Sequence, residues 1–194
     1  HSMDKTPEGF RFGFAALVGR PNVGKSTLMN QLIGQKISIT SHRAQTTRHR
    51  ILGISTDESQ QIVFVDTPGI HKGTKTMNKV INRTAILSTE GVDMVVLMID
   101  GKGWQTQDKK VLDLLKGRSV PMILVINKVD MLKDKNRLLP LIADSATLHN
   151  FTEIIPVSAL KGVNTDHLFS VIGKALPIQG PGFDPDQVTD RSVR

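Results

Sequence analysis

"GRPNVGKSTLMN" occupies residues 19–30. Gly19 and Gly24 bracket four residues, and Lys25 and Ser26 follow at once, which is the spacing G-x-x-x-x-G-K-[ST]. Just before it lies a nearly continuous apolar run, FGFAALV at residues 12–18, with the pattern of a strand buried on both faces. Just after it, Leu28 and Leu32, and Met29 and Ile33, recur at helical spacing. A glycine-rich turn between a buried strand and a helix has a specific physical use. Glycines let the backbone wrap closely, so that successive N–H groups can face one anion. The helix N-terminus adds partial positive charge at the same spot. Contacts to a phosphate group are therefore expected from Arg20, Pro21, Asn22, Val23, Gly24, Lys25, Ser26 and Thr27. Within that set Lys25 is placed to reach β- and γ-phosphates, and the Ser26 hydroxyl to bind Mg²⁺.

Working outward, four more apolar runs follow: IVFV at 62–65, MVVLMI at 94–99, MILVI at 122–126 and IIPV at 154–157. Helical stripes fall between them. Val80, Thr84 and Leu87 make one, and Val111, Leu112 and Leu115 mark a second within residues 108–115. Leu138, Leu141, Ile142 and Leu148 mark a third within residues 138–148. Leu168, Val171, Ile172 and Ala175 follow Asn164 or Thr165, either of which can cap the helix. Strands alternating with helices predict a largely parallel sheet covered on both faces. Residues 50–54 break the alternation, meeting residues 62–65 across the polar turn "STDESQQ". The expected fold is α/β: a mostly parallel six-stranded sheet with one antiparallel edge strand and helices on both faces.

The chain has 194 residues, of which 39% are hydrophobic and 22% charged, enough for one well-filled domain. It has no cysteine, which excludes a disulfide frame and a thiolate zinc site. No apolar run approaches the roughly 20 residues of a membrane span, and no secretory pattern opens the chain. His1 and Ser2 before Met3 read as an expression remnant. Residues 3–176 carry the periodic pattern of the domain. Residues 177–194, PIQGPGFDPDQVTDRSVR, lack periodicity and read as a linker. The net charge of +7 fits polyanionic partners and a merely solvated basic surface equally well.

Three further motifs follow in order. In "VDTPG", Asp66 ends a buried run, where its carboxylate can hold Mg²⁺ through a water. Thr67, Pro68 and Gly69 are expected to contact the nucleotide, with Gly69 letting its N–H approach a γ-phosphate without a side chain intruding. In "NKVD", Asn127 and Lys128 precede Asp130, whose carboxylate can accept from guanine N1–H and the 2-amino group. Adenine offers neither donor, and an unsatisfied charged group costs more than the roughly 1–3 kcal/mol of a neutral one. Sites built on such groups reject the analogue that lacks the donors. "VSAL" supplies Ser158, Ala159 and Leu160, with the Ala159 N–H offered to guanine O6.

These motifs, together with "GQKISITSHRAQTTRHRILG" and "DTPGIH", resemble the bacterial Era-type GTPases, a family of ribosome-assembly GTPases. Residues 35–53 are the most specific part, because related bacterial GTPases share the other motifs. The resemblance implies a P-loop GTPase fold, Mg²⁺-dependent hydrolysis of GTP to GDP and phosphate, and a switch role in small-subunit assembly and 16S rRNA maturation. It implies ribosomal RNA and the 30S subunit as partners, mainly through a C-terminal RNA-binding KH domain toward which "VTDRSVR" leads. It also implies a cytoplasmic location with peripheral contact at the inner membrane. On the family pattern Thr47 meets Mg²⁺ and the γ-phosphate from a first switch at residues 45–49, with Thr46 as the alternative. Lys25, Thr47 and Gly69 then form the catalytic set.

Basic residues gather near the switches: His42, Arg43, Arg48, His49 and Arg50, then Lys72, Lys75 and Lys79. They are either a solvated border of the triphosphate or a nucleotide-gated surface for RNA. Trp104 is expected to shield apolar loop surface. Many small regulatory GTPases place a water-orienting glutamine directly after D-x-x-G. Here that residue is Ile70, which cannot bond water, and the nearby His71 reads as surface. In related GTPases with the same P-loop asparagine, the counterpart of Asn22 helps hold K⁺, which stabilises charge where an arginine finger would sit. The plainer alternative is that Asn22 only shapes the turn. Three rival functions stand beside the main one. An adenine-nucleotide ATPase or kinase is disfavoured by Asp130. A GTP-binding module without turnover gains some weight from Ile70. A related ribosome-associated GTPase with another partner is disfavoured by residues 35–53.

Overall fold

The computed structural model describes residues 8–20, 22–32, 39–40, 51–66, 91–117, 119–183 and 188–189. Its central element is the strand that precedes the glycine turn, β1 (Arg11–Val18), followed by α1 (Lys25–Leu32). Then come β2 (Ile39–Thr40), β3 (Ile51–Thr56), β4 (Gln60–Val65) and β5 (Met94–Asp100). Helix α2 (Thr106–Leu115) leads to β6 (Met122–Asn127), and single 3₁₀ turns at Val129–Met131 and Lys135–Arg137 lead to α3 (Leu138–Leu148). The chain continues through β7 (Glu153–Pro156), α4 (Thr165–Lys174) and β8 (Val188–Thr189).

Six strands form one sheet in the order β3-β4-β1-β5-β6-β7. β4, β1, β5, β6 and β7 run parallel, and β3 pairs antiparallel with β4 at the edge. The expected α/β sheet is therefore present, antiparallel edge strand included. Alternation along each strand divides the core in two. Ala15, Leu17, Phe64, Val96 and Val125 pack on one face with Leu28 and Met29 of α1 and Leu168 and Ile172 of α4. Ala16, Val18, Val65, Leu97 and Ile126 pack on the other with Val111, Leu112 and Leu115 of α2 and the half-buried Leu138, Leu141 and Ile142 of α3. All seven residues of β5 are buried, as a strand covered on both faces requires.

Three local expectations need correction. The hairpin turn is shorter than "STDESQQ". The strands run on through Thr56 and from Gln60, leaving only residues 57–59 to turn. Asp57 makes this tight turn, its Oδ1 accepting from the Ser59 and Gln60 amides at 2.8 and 3.0 Å. At the start of α4, neither Asn164 nor Thr165 caps through its side chain. Asn164 takes a left-handed backbone, φ 66°, and its Nδ2 donates to the Pro156 carbonyl, while Thr165 Oγ1 donates back to Gly162.

The third difference concerns the stretch after Pro177, which carries no periodic pattern yet is bonded to the domain as far as Phe183. The Phe12 amide donates to Pro177 O and the Gln179 amide to Phe10 O. The Gln61 side chain, 2% exposed, accepts from the Gly182 and Phe183 amides and donates to Phe183 O and Thr56 Oγ1. The absence of a hydrophobic period hides this, because the attachment is made by polar bonds and one aromatic contact between Phe12 and Phe183. Further along, Val188–Thr189 pairs antiparallel with Ile39–Thr40 as a separate two-stranded ladder.

Candidate phosphate- and base-binding site

The site lies where β1, β4, β5 and β6 end on the same side of the parallel sheet, the edge at which open α/β sheets take ligands. β1 delivers Gly19 and Arg20, β4 delivers Asp66, β5 ends on Asp100 and β6 ends on Asn127. The glycine turn is tight for visible reasons. A Cβ on Gly19 would meet Val23 Cγ2 at 2.7 Å, and one on Gly24 would meet Asn127 Nδ2 at 2.1 Å, with Gly24 also at φ +106°. Asn22 at φ 69° completes the turn, and α1 begins at Lys25 with the Leu28 amide donating to Gly24 O.

"NKVD" is tied to the glycine turn. Asn127, 2% exposed, donates through Nδ2 to Val23 O at 2.8 Å. Lys128 Nζ donates to Asn22 O. Consecutive side chains thus hold consecutive carbonyls of the turn. In a trans peptide the C=O of one residue and the N–H of the next point in opposite directions. Holding Asn22 O fixes the Val23 N–H, and holding Val23 O fixes the Gly24 N–H, each directed away from β6. Two amides of the glycine turn are oriented from outside it.

Lys25 has a half-buried side chain whose Nζ is buried without a hydrogen-bond partner among the described residues. Burial holds its ammonium below the usual lysine range, and the Asp66 carboxylate offsets part of that. A buried cation beside oriented amides at a helix N-terminus is complementary to a phosphate chain. Ser26 and Thr27 are exposed in the first turn of α1, and Asp66 follows the last residue of β4. This set fits Mg²⁺ as hydroxyl and carboxylate oxygen donors.

On the base side, Asn127 makes a second contact. The Ala159 amide, expected to face guanine O6, donates to Asn127 Oδ1 at 3.0 Å. Asn127 therefore spans from the glycine turn to the 158–160 loop, and this contact takes up the amide. Ser158 is fully buried, Leu160 is exposed, and a Ser158–Val163 bridge holds the loop. Asp130 lies half-buried in the 3₁₀ turn that begins directly after Lys128.

Arg20, expected at the phosphates, has its guanidinium turned to α2: Nε lies 3.2 Å from Asp108 Oδ1 and donates to Oδ2 at 3.4 Å. Asp108 is 1% exposed and also accepts from the Gln105 amide at the helix start. Burial pushes its carboxyl up, and the Gln105 bond and the Arg20 charge pull it back. Trp104 packs as expected, stacked on Phe151, with its indole N–H donating to Ser145 Oγ at 2.8 Å. Sequence reading missed Asp100 and Asp108. The available signal for Asp100 was an acidic residue closing a buried parallel strand, as Asp66 does. Pro21, Thr46, Thr47, Thr67, Pro68, Gly69, Ile70, His71 and the basic cluster lie outside the described residues.

A family model described as "50S ribosome-binding GTPase" matches residues 14–128. Among curated relatives, GTPase Era of Haemophilus influenzae is 47% identical over 94% of this chain and 61% of its own length. GTPase Era of Yersinia enterocolitica is 46% identical over 94% of this chain and 60% of its own. The chain thus spans about three fifths of these relatives. Two solved structures, each at TM-score 0.74, 41% identity and 94% coverage of this chain against 62% of theirs, carry ligands. One is Aquifex aeolicus Era bound to GDP·AlF4⁻, and the other is Era with MgGDPNP and nucleotides 1506–1542 of 16S ribosomal RNA.

Proposed function

Since the chain belongs to the 50S ribosome-binding GTPase family, we propose that it binds GTP and GDP, hydrolyses GTP, and serves as an Era-like switch in small-subunit ribosome assembly. The observation that carries this reading is the buried Lys25 Nζ, without a hydrogen-bond partner among the described residues, beside two amides oriented by "NKVD". In the proposed complex Lys25 and the Val23 and Gly24 amides hold the β- and γ-phosphates, and Asp130 reads the guanine edge. Ser26 and Asp66, with Thr47 from the first switch, would hold Mg²⁺, which supplies charge neutralisation at the phosphate oxygens. Asp130 separates this reading from an ATPase, and turnover separates it from a binding module.

Hydrolysis proceeds here without a glutamine after Gly69, so the backbone of the second switch orients the water. Asn22 is the proposed ligand of a K⁺ that stabilises developing charge in place of an arginine finger. Ribosomal RNA is the proposed macromolecular partner. The relative solved with 16S rRNA nucleotides and the net charge of +7 support it. The proposed setting is cytoplasmic, with membrane contact limited to the surface.

One experiment tests the reading: GTP turnover with Mg²⁺ at fixed ionic strength in potassium, sodium or caesium chloride, with ATP as competitor. Expected are indifference to ATP and a slow basal rate, of the order of 10⁻⁴ s⁻¹ as for unassisted small GTPases, rising only with K⁺. Competition by ATP would remove Asp130 from the base site. Equal rates in all three salts would leave a partner-supplied group as the source of charge.

A further inference from the structure

Asn22 and Lys128 both hold left-handed backbone without being glycine, at φ 69° and 62°. Such conformations persist where their surroundings over-determine them. A single ammonium joins the two: Lys128 Nζ donates to Asn22 O. The same Nζ lies 3.5 Å from Asp100 Oδ2. Asp100 is 8% exposed, and its Oδ1 accepts from the Lys102 amide at 2.9 Å, which fixes its rotamer. The sheet register brings these groups together. Asp100 on β5 is the direct partner of Asn127 on β6, and β5 also pairs with β1, which runs into the glycine turn.

We propose that Asp100 is a positioning residue for the nucleotide site: its carboxylate holds the Lys128 ammonium on the Asn22 carbonyl, and so fixes the Val23 amide toward the phosphates. A lysine ammonium is a strongly hydrated point charge on a flexible stem. The Lys128 side chain is 34% exposed, so a neutral carbonyl alone must compete with water for it. A pre-fixed carboxylate in a partly desolvated pocket tips that competition, because ionised partners bond more strongly and interact at lower effective dielectric. Asp100 therefore acts on phosphate retention and not on the choice of base. The inference rests on the guanine-nucleotide reading above, and GDP binding by the unaltered protein tests that reading separately.

The experiment is release of fluorescent GDP from the unaltered chain, D100N, Lys128→Met and the double variant. The side-chain amide oxygen that D100N introduces would still accept from the Lys102 amide, so this variant removes the charge and keeps the turn. Release is expected to rise roughly tenfold in D100N, the scale of a half-buried charge-assisted bond. It should rise at least as much in Lys128→Met and no further in the double variant. GDP preference over ADP should stay unchanged in D100N. Asp100→Ser, whose hydroxyl can also accept from the Lys102 amide, gives the same comparison if D100N does not fold. The proposal is overturned if D100N leaves release unchanged, or speeds it by the same factor with and without Lys128. A GDP preference lost in D100N overturns it as well.

Discussion

Lys25 shows how a single residue reports a missing hydrogen-bond acceptor. Its Nζ is buried without a hydrogen bond among the described residues, and burial lowers its pKa below the ordinary lysine value of 10.5. Between the depressed value and 10.5 the unfolded chain binds more protons than the folded one, so stability rises with pH across that window and is lower below it. Lys25→Met removes the penalty. The nucleotide-free variant is expected to gain roughly 1 kcal/mol, the scale of an unsatisfied buried polar group, or about 2–4 °C for a domain of this size. Its advantage should shrink as pH rises toward 10.5. GTP affinity should fall by roughly ten- to a hundredfold, the scale of a hydrogen bond to a charged group. Melting curves across pH, paired with GTP titration, check both signs. A variant less stable than the parent at neutral pH would mean that the ammonium is already satisfied inside the fold.

At the scale of elements, the "NKVD" loop divides its labour. Asn127 and Lys128 face the glycine turn, across 104 and 106 residues of chain, while Asp130 is the residue proposed to choose the base. Asn127→Ala is therefore expected to weaken GTP and xanthosine triphosphate alike, by at least about tenfold, since it frees Val23 O and Ala159 N together. Asp130→Asn should instead exchange the two, because an amide can donate to the carbonyl that xanthine has in place of the 2-amino group. Titrating both variants with both nucleotides separates the roles. An Asn127→Ala defect confined to GTP would assign Asn127 to the base. The same division explains what could be read from the chain in advance. Gly19, Gly24, Lys25 and Ser26 share one local turn, which spacing encodes directly. The Arg20–Asp108 pair spans 88 residues, and its partners become neighbours only after β1 and α2 are packed. The Ala159 amide has a partner that the motif does not name, for a related reason. The motif specifies which groups gather, but the Asn127 side chain decides which of them bond each other.

For the whole molecule, the question is where the domain ends. Hydrophobic period fades after Leu176, yet residues 177–183 satisfy buried polar groups of the sheet. Gln61 depends on them for three of its four bonds: two accepted amides and one donated carbonyl bond. A Cβ on Gly182 would meet Phe12 Cζ at 2.4 Å, so the strap lies flat against that ring. Gln61 lies near the start of the strand whose far end leads to Asp66, and β4 pairs with β1 over six registered residues from Arg11 to Ala16. Loosening the strap should therefore lower the stability of the sheet without altering the chemistry at its opposite end. A chain ended after Leu176 would strip Gln61 of three of its four bonds and open it to water, at a cost of about 1–3 kcal/mol together with the lost Phe183 contact. It is expected to melt at least about 3 °C below a chain ended after Phe183, with GTP affinity unchanged within a factor of about two. Gln61→Leu in the full chain supplies the control. An apolar residue there leaves the Gly182 and Phe183 amides without their acceptor but keeps the strap and its Phe12–Phe183 contact, so it should destabilise less than the truncation does. Equal melting of the two shortened chains would return the domain boundary to Pro177 and make the Gln61 bonds incidental to the fold.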